Sequence, residues 1–347
     1  MEKLYDFDLY KYEHLEKNEG QLTIKMLETL RNVVMAEYRS GVTTRDFHSK
    51  GHCMVKASFV VEENLDEELR VGIFKNPRTY EAWVRLSNSN VKPRRDWKKD
   101  VRAMAVKLVG VEGEKFFDVP EGSNTMDIIT MGVPVFLTPN VKQFLDLEVA
   151  TLKGNRALAW YVLTHPRVTK TLFNSFTRCA NLLEIPYWST TPYLFGPDHA
   201  VKYHFRPQSN VMSELPKHPS PNYLREKVIE QLGREEVHYD FMVQFQKDPE
   251  KMPIENANVI WKEELSPFRK VATLIFHKQE VNTPERMAFT ENSSFNPWRT
   301  LHEHRPLGSV NRIRHKVYQG IAAFRHYRNN VPLVEPQENH LPDSSLA

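Results

Sequence analysis

The chain has 347 residues, of which 40% are hydrophobic and 26% charged, the profile of a soluble globular enzyme. Its 47 basic and 44 acidic residues leave a net charge of only +3, which gives no electrostatic case for nucleic acid or an anionic membrane as the main partner. No apolar stretch approaches the roughly 18 residues of a membrane span. The N-terminus lacks the apolar core of a signal peptide, and Cys53 and Cys179 form no metal-binding spacing. These features predict a cytoplasmic protein.

The hydrophobic pattern of the N-terminal half indicates one helix followed by sheet. Apolar residues at helical spacing predict an amphipathic helix over 21–40, ending near Gly41. Short β-branched and aromatic runs separated by charged pieces predict strands over 55–61, 82–87, 103–109 and 133–137. Because the connections are too short or too polar for crossover helices, we expect an antiparallel sheet.

In the C-terminal half the two textures alternate. The pattern predicts helices over 143–152, 157–183, 221–232 and 311–328, and strands over 198–209, 236–246 and 271–276. Residues 286–310 contain many Asn, Pro and His residues and are expected to form an irregular, ordered loop. The whole predicts an α+β fold, with one barrel-like sheet wrapped by helices. We divide it into an arm and helix (1–44), a main domain (45–330) and a loose tail (331–347).

Sequence motifs exclude several enzyme classes. The chain has no GxSxG, Walker or GxGxxG motif. It therefore lacks the usual nucleophile motif of hydrolases and the usual phosphate-binding motifs of kinases and nicotinamide-dependent enzymes. What remains is a pattern of Arg, Tyr and an isolated His. Arg314 and Tyr318 lie four residues apart on a predicted helix, within contact range. A guanidinium there could hold Tyr318 as a phenolate, a hard ligand for ferric iron, although such a pair also occurs by chance.

Several segments form a pattern when they are taken in order: Arg45–Gly51 with a central His48, Val84–Ser87, Asp100–Lys107, Asp127–Ile129 with Pro134–Phe136, Lys202–His204, Met287–Phe289, and the set Arg314, Tyr318 and Arg325. Together they resemble the catalase superfamily. The linking segment from Tyr187–Tyr193 to Lys202 and Tyr203 looks closest to the compact bacterial subfamily. The similarity spans residues 45 to 325. It implies an antiparallel β-barrel enclosing haem b, without the C-terminal domain of long catalases.

The resemblance also implies residue roles. His48 would be the distal acid and base, and Ser87 would hydrogen-bond its ring and fix its tautomer. Tyr318 would be the axial ligand of the ferric iron, with Arg314 as its charge partner. The remaining cofactor-binding residues would clamp the haem propionates or pack on the haem: Arg45, Arg85 and Arg325 for the propionates, Phe136 and Phe144 for the packing.

One departure from the family pattern bears on the substrate. Catalases pair the distal His with an Asn, whereas here that position falls on Met131, whose thioether cannot donate a hydrogen bond. Losing such a donor can cost on the order of a hundredfold in rate. Phe47, beside His48, is also bulkier than the family's usual residue. A more apolar distal side favours an organic hydroperoxide, such as that of a fatty acid, with weak catalase activity.

Other interpretations remain open. The chain could be a haem-binding protein without turnover, a true hydrogen-peroxide catalase, or a relic that binds no haem. Catalase-like proteins commonly associate, so we expect a homo-oligomer, with a dimer as the first guess. Nucleic acid is not expected as a partner.

Overall fold

The computed structural model describes residues 7–116 and 124–337. Seven α-helices lie in these two stretches: α1 Glu19–Glu37, α2 Val141–Leu152, α3 Asn155–Thr164, α4 Pro166–Ser175, α5 Tyr223–Leu232, α6 Pro284–Asn292 and α7 Ser309–Asn329. Three short 3₁₀ helices add single turns at Glu67–Leu69, Gly72–Phe74 and His302–His304. No helix in the described part is long and apolar enough to cross a bilayer.

Nine strands form one antiparallel sheet. They are β1 Lys50–Val61, β2 Thr79–Asn88, β3 Arg102–Val109, β4 Thr125–Met131, β5 Tyr187–Trp188, β6 Tyr193–Phe195, β7 His199–Pro207, β8 Val237–Phe245 and β9 Arg269–Phe276. Their order is β5-β4-β3-β2-β1-β9-β8-β7-β6. Strand β5 also pairs with β7, so eight strands close into a barrel and β6 lies beside β7.

Closure depends on the two-residue strand β5. Trp188 pairs with Met131 of β4 on one side and with His204 of β7 on the other. Side chains from all eight closing strands fill the interior in one continuous apolar cluster, which includes Phe59, Val106 and Phe241. Closure removes the two long edges that an open sheet would present and leaves the three-residue strand β6 at the end of the strand order.

Three helices pack together outside the barrel. Apolar residues of α1, α2 and α7 share one buried cluster that contains Met26, Leu145 and Val317. Many residues of α7 are hidden from solvent, among them Ile313, Val317 and Ile321.

The predicted fold class is confirmed: the structure is an α+β antiparallel barrel wrapped by helices. The predicted strand over 133–137 is wrong, because β4 ends at Met131 and the chain then bends at Gly132 and Pro134. The region predicted as a single helix over 157–183 forms two helices, because Pro166 begins a new one. The second of these helices ends at Ser175.

The segment predicted to be irregular contains a helix. Pro284 occupies the first turn of α6, and the Thr283 hydroxyl accepts a hydrogen bond from the backbone N–H of Arg286. This combination of a capping Thr and an initial Pro is a recognised helix start, which outweighs the weak apolar periodicity. The short strands β5 and β6 lie below the length that a periodic pattern can reveal.

A buried ion network anchors α7. The guanidinium of Arg312, fully buried, binds Glu13 at 2.8 Å, Glu19 at 2.7 Å and Glu255 at 2.8 Å. These carboxylates come from the N-terminal arm, the first turn of α1 and the segment after β8. Breaking such a pair from one side leaves uncompensated buried charge, which is strongly unfavourable.

A second network joins the C-terminal segment to the barrel. Lys107 of β3 binds Asp127 at 2.7 Å and Glu335 at 2.7 Å, while Arg299 binds the same two carboxylates at 2.6 and 2.8 Å. All four side chains are buried, so two cations and two anions form a closed and electrically balanced ring.

We predict that Arg312→Met lowers the free energy of unfolding by about 3–5 kcal/mol, because buried carboxylates lose their cation. Urea unfolding followed by circular dichroism measures the change. The matched control is Arg234→Met, whose side chain is exposed and pairs with Glu230 at 3.1 Å; it should change stability little. Equal midpoints for Arg312→Met and the unsubstituted protein would contradict the anchoring role.

Candidate functional site

His48 lies just before β1 in a strained backbone conformation. Its φ is +57°, a left-handed value that non-glycine residues seldom adopt. Two bonds hold it there: its N–H donates to the carbonyl of Ser89 at 2.9 Å, and Arg85 donates to its carbonyl oxygen at 2.9 Å. The Oγ of Ser87, on β2, lies 3.3 Å from its Nδ1. Backbone and ring are therefore both oriented by β2 and the residue that follows it.

The imidazole of His48 is neutral at neutral pH. Burial, together with the positive charges of Arg85, Arg314 and Arg45, lowers its pKa to about 3. A neutral ring offers one nitrogen as acceptor and one as donor. With Nδ1 facing Ser87, the other nitrogen is left for a ligand in the site.

Two arginines from distant parts of the chain meet at the end of α6. Arg45 donates to the carbonyl of Glu291 at 3.1 Å and to that of Ser293, while Arg325 donates to the same carbonyls at 2.6 and 3.0 Å. The carbonyls in the last turn of a helix have no intrahelical partners, so they can accept hydrogen bonds from guanidinium groups.

A third arginine joins them. The Nε of Arg85, on β2, donates to the carbonyl of Thr290 at 2.9 Å, and Arg45 lies 3.4 Å from the same oxygen. The carboxylate of Glu291 lies 3.9 Å from Arg45, and the carboxyl group of Asp46 also acts on Arg45 and Arg325 by its charge. Burial lowers the pKa of Arg85 to about 9, with the charge of Arg45 adding to the effect. Burial and the neighbouring Arg45 and Arg85 likewise lower the pKa of Arg325.

Three guanidinium groups thus share backbone oxygens and two nearby carboxyl groups, those of Glu291 and Asp46. Buried charges normally occur in pairs, so the excess of positive charge that remains is unfavourable unless an anion completes it. A ligand with carboxylates would compensate it, and the planar guanidinium fork suits such groups. The site therefore favours an anionic ligand.

Tyr318 and Arg314 lie one turn apart on α7. The guanidinium carbon of Arg314 is 5.8 Å from the centre of the Tyr318 ring and 5.2 Å from that of Phe136. Its hydrogen bonds go to Asn311 at 3.1 Å and Thr191 at 3.5 Å rather than to the phenol. Burial raises the pKa of Tyr318, and the charge of Arg314 partly offsets this. The two residues interact, but by charge and ring contact.

An aromatic wall lies between the barrel and α2. The rings of Phe136 and Phe144 are 5.1 Å apart, and that of Phe47 is 6.0 Å from Phe144. Phe136 and Met131 belong to the same buried apolar cluster. The structure therefore places these predicted packing residues against one another and adds Phe47, next to His48, to the wall.

Two carboxyl groups beside the site were missed by the sequence analysis. Asp46 precedes Phe47, and Glu148 lies one turn after Phe144 on α2, so the Phe47–Phe144 contact brings them to one region. Burial raises the pKa of Asp46 to about 6, and burial together with Asp46 raises that of Glu148 to about 8. Glu148 occupies the buried face of an amphipathic helix. A charged residue on an apolar face is unusual, and this was the signal in the sequence that could have identified it.

The predicted residues meet in one region, linked by Arg314, whose charge acts on both His48 and Tyr318. No cluster of three or more His, Cys, Asp or Glu suited to a metal ion occurs among the described residues. A phenol can coordinate the iron of haem, aromatic side chains can pack on its ring, and a cationic cluster can bind its carboxylates. The residues therefore fit this group.

Known proteins resemble the chain in structure more than in sequence. No protein-family model matches it, and no curated protein matches it significantly. Among solved structures, a bacterial catalase matches with a TM-score of 0.65 and 15% identity, covering 99% of this chain and 70% of its own. A fungal catalase and catalase A from Saccharomyces cerevisiae both have a TM-score of 0.64, at 15% and 17% identity.

The fold is therefore catalase-like. The matches to the fungal catalase and to catalase A each cover 86% of this chain, which spans 62% and 64% of their respective lengths. At such identities the likeness concerns architecture, and the function has to be argued from the site.

We predict that Glu148→Gln stabilises the protein at alkaline pH. The folded-state pKa of Glu148 is about 8 against an ordinary value of 4.5, so the folded protein binds the extra proton in this range and loses stability as pH rises through it. The gain from the substitution should be near zero below pH 4.5 and reach about 3–5 kcal/mol above pH 8. Urea unfolding across this range measures it. The control, Glu226→Gln on α5, should give no such rise, and a pH-independent difference for Glu148→Gln would contradict the assignment.

Proposed function

We propose that the protein binds haem b through Tyr318 and processes peroxides, preferring organic hydroperoxides to hydrogen peroxide. The observation that carries the proposal is the convergence of Arg45, Arg85 and Arg325 on the end of α6. This cluster has an excess of positive charge in a buried place, and the propionates of haem would compensate it. The catalase-like fold supports the same ligand.

In this proposal, Tyr318 would hold the iron from α7. Arg314 lies one turn away, and its charge favours the phenolate that a ferric ion needs. Phe136 and Phe144 would form the apolar wall of the cavity and exclude water. Haem would supply an iron centre able to cleave a peroxide O–O bond.

His48 would manage the proton of the bound peroxide. Its neutral ring can accept a proton from one peroxide oxygen and return it to the other. Because its pKa is about 3, it would hold that proton only briefly. Ser87, 3.3 Å from Nδ1, would keep the ring turned so that Nε2 faces the substrate.

The surroundings of His48 favour an organic substrate. By the resemblance, Met131 would place a thioether where an amide donor would bind hydrogen peroxide, and Phe47 adds an apolar ring next to His48. An alkyl hydroperoxide gains contact with such surfaces, whereas hydrogen peroxide loses a hydrogen bond. A fatty-acid hydroperoxide, converted by a peroxidase, isomerase or lyase reaction, is the substrate class we propose.

A second candidate is haem binding without turnover. The low pKa of His48 makes its imidazole a weak base, since the best general bases titrate near the working pH. The cytoplasmic location and the homodimer predicted from the sequence are also part of the proposed function.

Tyr318→Phe should abolish the ferric tyrosinate-type absorption of the haem-loaded protein, because phenylalanine cannot coordinate iron. Absorption spectra of protein purified with added haem measure this. Tyr327→Phe is the matched control, since Tyr327 lies on the same helix but is 86% exposed, and its spectrum should be unchanged. An unchanged spectrum for Tyr318→Phe would rule out the proposed ligand.

Met131→Asn should raise oxygen release from hydrogen peroxide by up to about a hundredfold, because it restores a donor beside the peroxide. His48→Ala should abolish turnover of cumene hydroperoxide while leaving the haem spectrum in place. Rates from an oxygen electrode and from absorbance assays test both. Turnover that survives His48→Ala would favour haem binding without a catalytic role for this histidine, and rapid oxygen release by the unsubstituted protein would overturn the substrate preference.

A further inference from the structure

Helices α3 and α4 keep large apolar side chains in solvent. Trp160 and Leu163 on α3 are 68% and 73% exposed, and Phe173 on α4 is 76% exposed. The opposite faces of both helices are buried against α2 in one cluster that includes Tyr161 and Val168. The exposed residues are therefore not needed for the packing of the hairpin. Trp160 and Leu163, three residues apart on α3, are neighbours, and large exposed apolar groups of this kind mark interaction surfaces.

The same hairpin is purely basic. Residues 149–183 contain no Asp or Glu. They include five exposed basic residues: Lys153, Arg156, Arg167, Lys170 and Arg178. None of these five forms an ion pair within the described parts of the chain. Their charges therefore face solvent without neutralisation.

A neighbouring loop extends this charge. Lys99 lies 5.3 Å above the ring of Phe173, and Asp100 pairs with Thr177 just after α4. The loop also carries exposed Arg94, Arg95 and Lys98. Its two acids are hidden: Asp96 and Asp100 are both buried. Only positive charge from this loop reaches the surface.

We propose that this basic apolar surface, formed by α3, α4 and residues 94–99, binds the face of an anionic lipid bilayer. Amphipathic helices with aromatic and aliphatic residues beside Lys and Arg lie in the plane of the membrane interface. The exposed side chains would enter the acyl boundary, and the basic residues would contact anionic headgroups. Leu163 and Phe173 favour a membrane over a nucleic acid, because a phosphate backbone offers no apolar phase in which to bury them.

This inference goes beyond the proposed chemistry and does not depend on haem. The small net charge of +3 gave no electrostatic case for an anionic membrane. That total is an average over the whole chain, whereas the exposed charges of α3 and α4 are all positive. The surface would bring the protein to the phase where apolar hydroperoxides are found. Failure of membrane binding would leave the haem site untouched, so the two proposals can be separated.

Vesicle sedimentation with the full-length protein tests the proposal. We expect binding to vesicles that contain phosphatidylglycerol, weaker binding to vesicles of phosphatidylcholine alone, and release by high salt. Arg167→Gln with Lys170→Gln should reduce partitioning about 30-fold, the effect of removing two cations near an anionic surface. Trp160→Ser with Leu163→Ser should reduce it about a hundredfold or more.

Two controls separate the surface from general properties of the chain. Lys227→Gln with Lys251→Gln removes the same charge elsewhere, and Val211→Ser with Met212→Ser removes exposed apolar groups elsewhere. Both should bind vesicles like the unsubstituted protein. Equal binding to the two kinds of vesicle, equal loss in the control variants, or retention on heparin without vesicle binding would each overturn the proposal. The last result would point to a nucleic acid instead.

Quenching of Trp160 gives an independent measure. Brominated lipids in phosphatidylglycerol vesicles should quench part of the tryptophan fluorescence, and Trp160→Phe should remove most of that part, because Trp97, the other tryptophan of the surface, packs against the barrel core. Trp298, which is fully buried, belongs to the unquenched remainder. Quenching that persists in Trp160→Phe would contradict insertion of α3.

Discussion

The position of α7 is the constraint on which the site depends, and a buried charge sets it. Arg312 binds three carboxylates that come from the arm, α1 and the segment after β8. Arg314, Tyr318 and Arg325 then follow on the same rigid helix, so their places relative to the barrel are fixed by this anchor. The ion network costs desolvation, but it specifies one arrangement of α7 among those that apolar packing alone would allow.

Much of the fold could be predicted from local pattern. The long strands and helices show the two periodicities clearly, and the polar connections ruled out crossover helices. The exceptions have physical causes. β5 has two residues, too few for a pattern, although it closes the barrel. The run 133–137 is apolar because it packs into a cluster rather than a sheet, and a short apolar run does not distinguish the two.

The sequence could predict those features of the candidate site that depend on residue type and order. It could not predict the features that depend on contacts between distant parts of the chain. Arg45, Arg85 and Arg325 were named individually, but their meeting place at the end of α6 required a helix that the sequence pattern did not reveal. Asp46 and Glu148 lie 102 positions apart, and their proximity arises only from packing around Phe47 and Phe144. The basic surface of α3 and α4 could not be predicted either, because the net charge of the chain does not show how the charges are distributed.

The ring formed by Lys107, Asp127, Arg299 and Glu335 also has a consequence for how the chain can be divided. A fragment ending with α7 would retain every helix and strand of the structure. It would nevertheless bury two cations against a single carboxylate, leaving an interior net charge of one. The folded unit is thus delimited by charge neutrality as well as by secondary structure, and six residues without regular structure complete it.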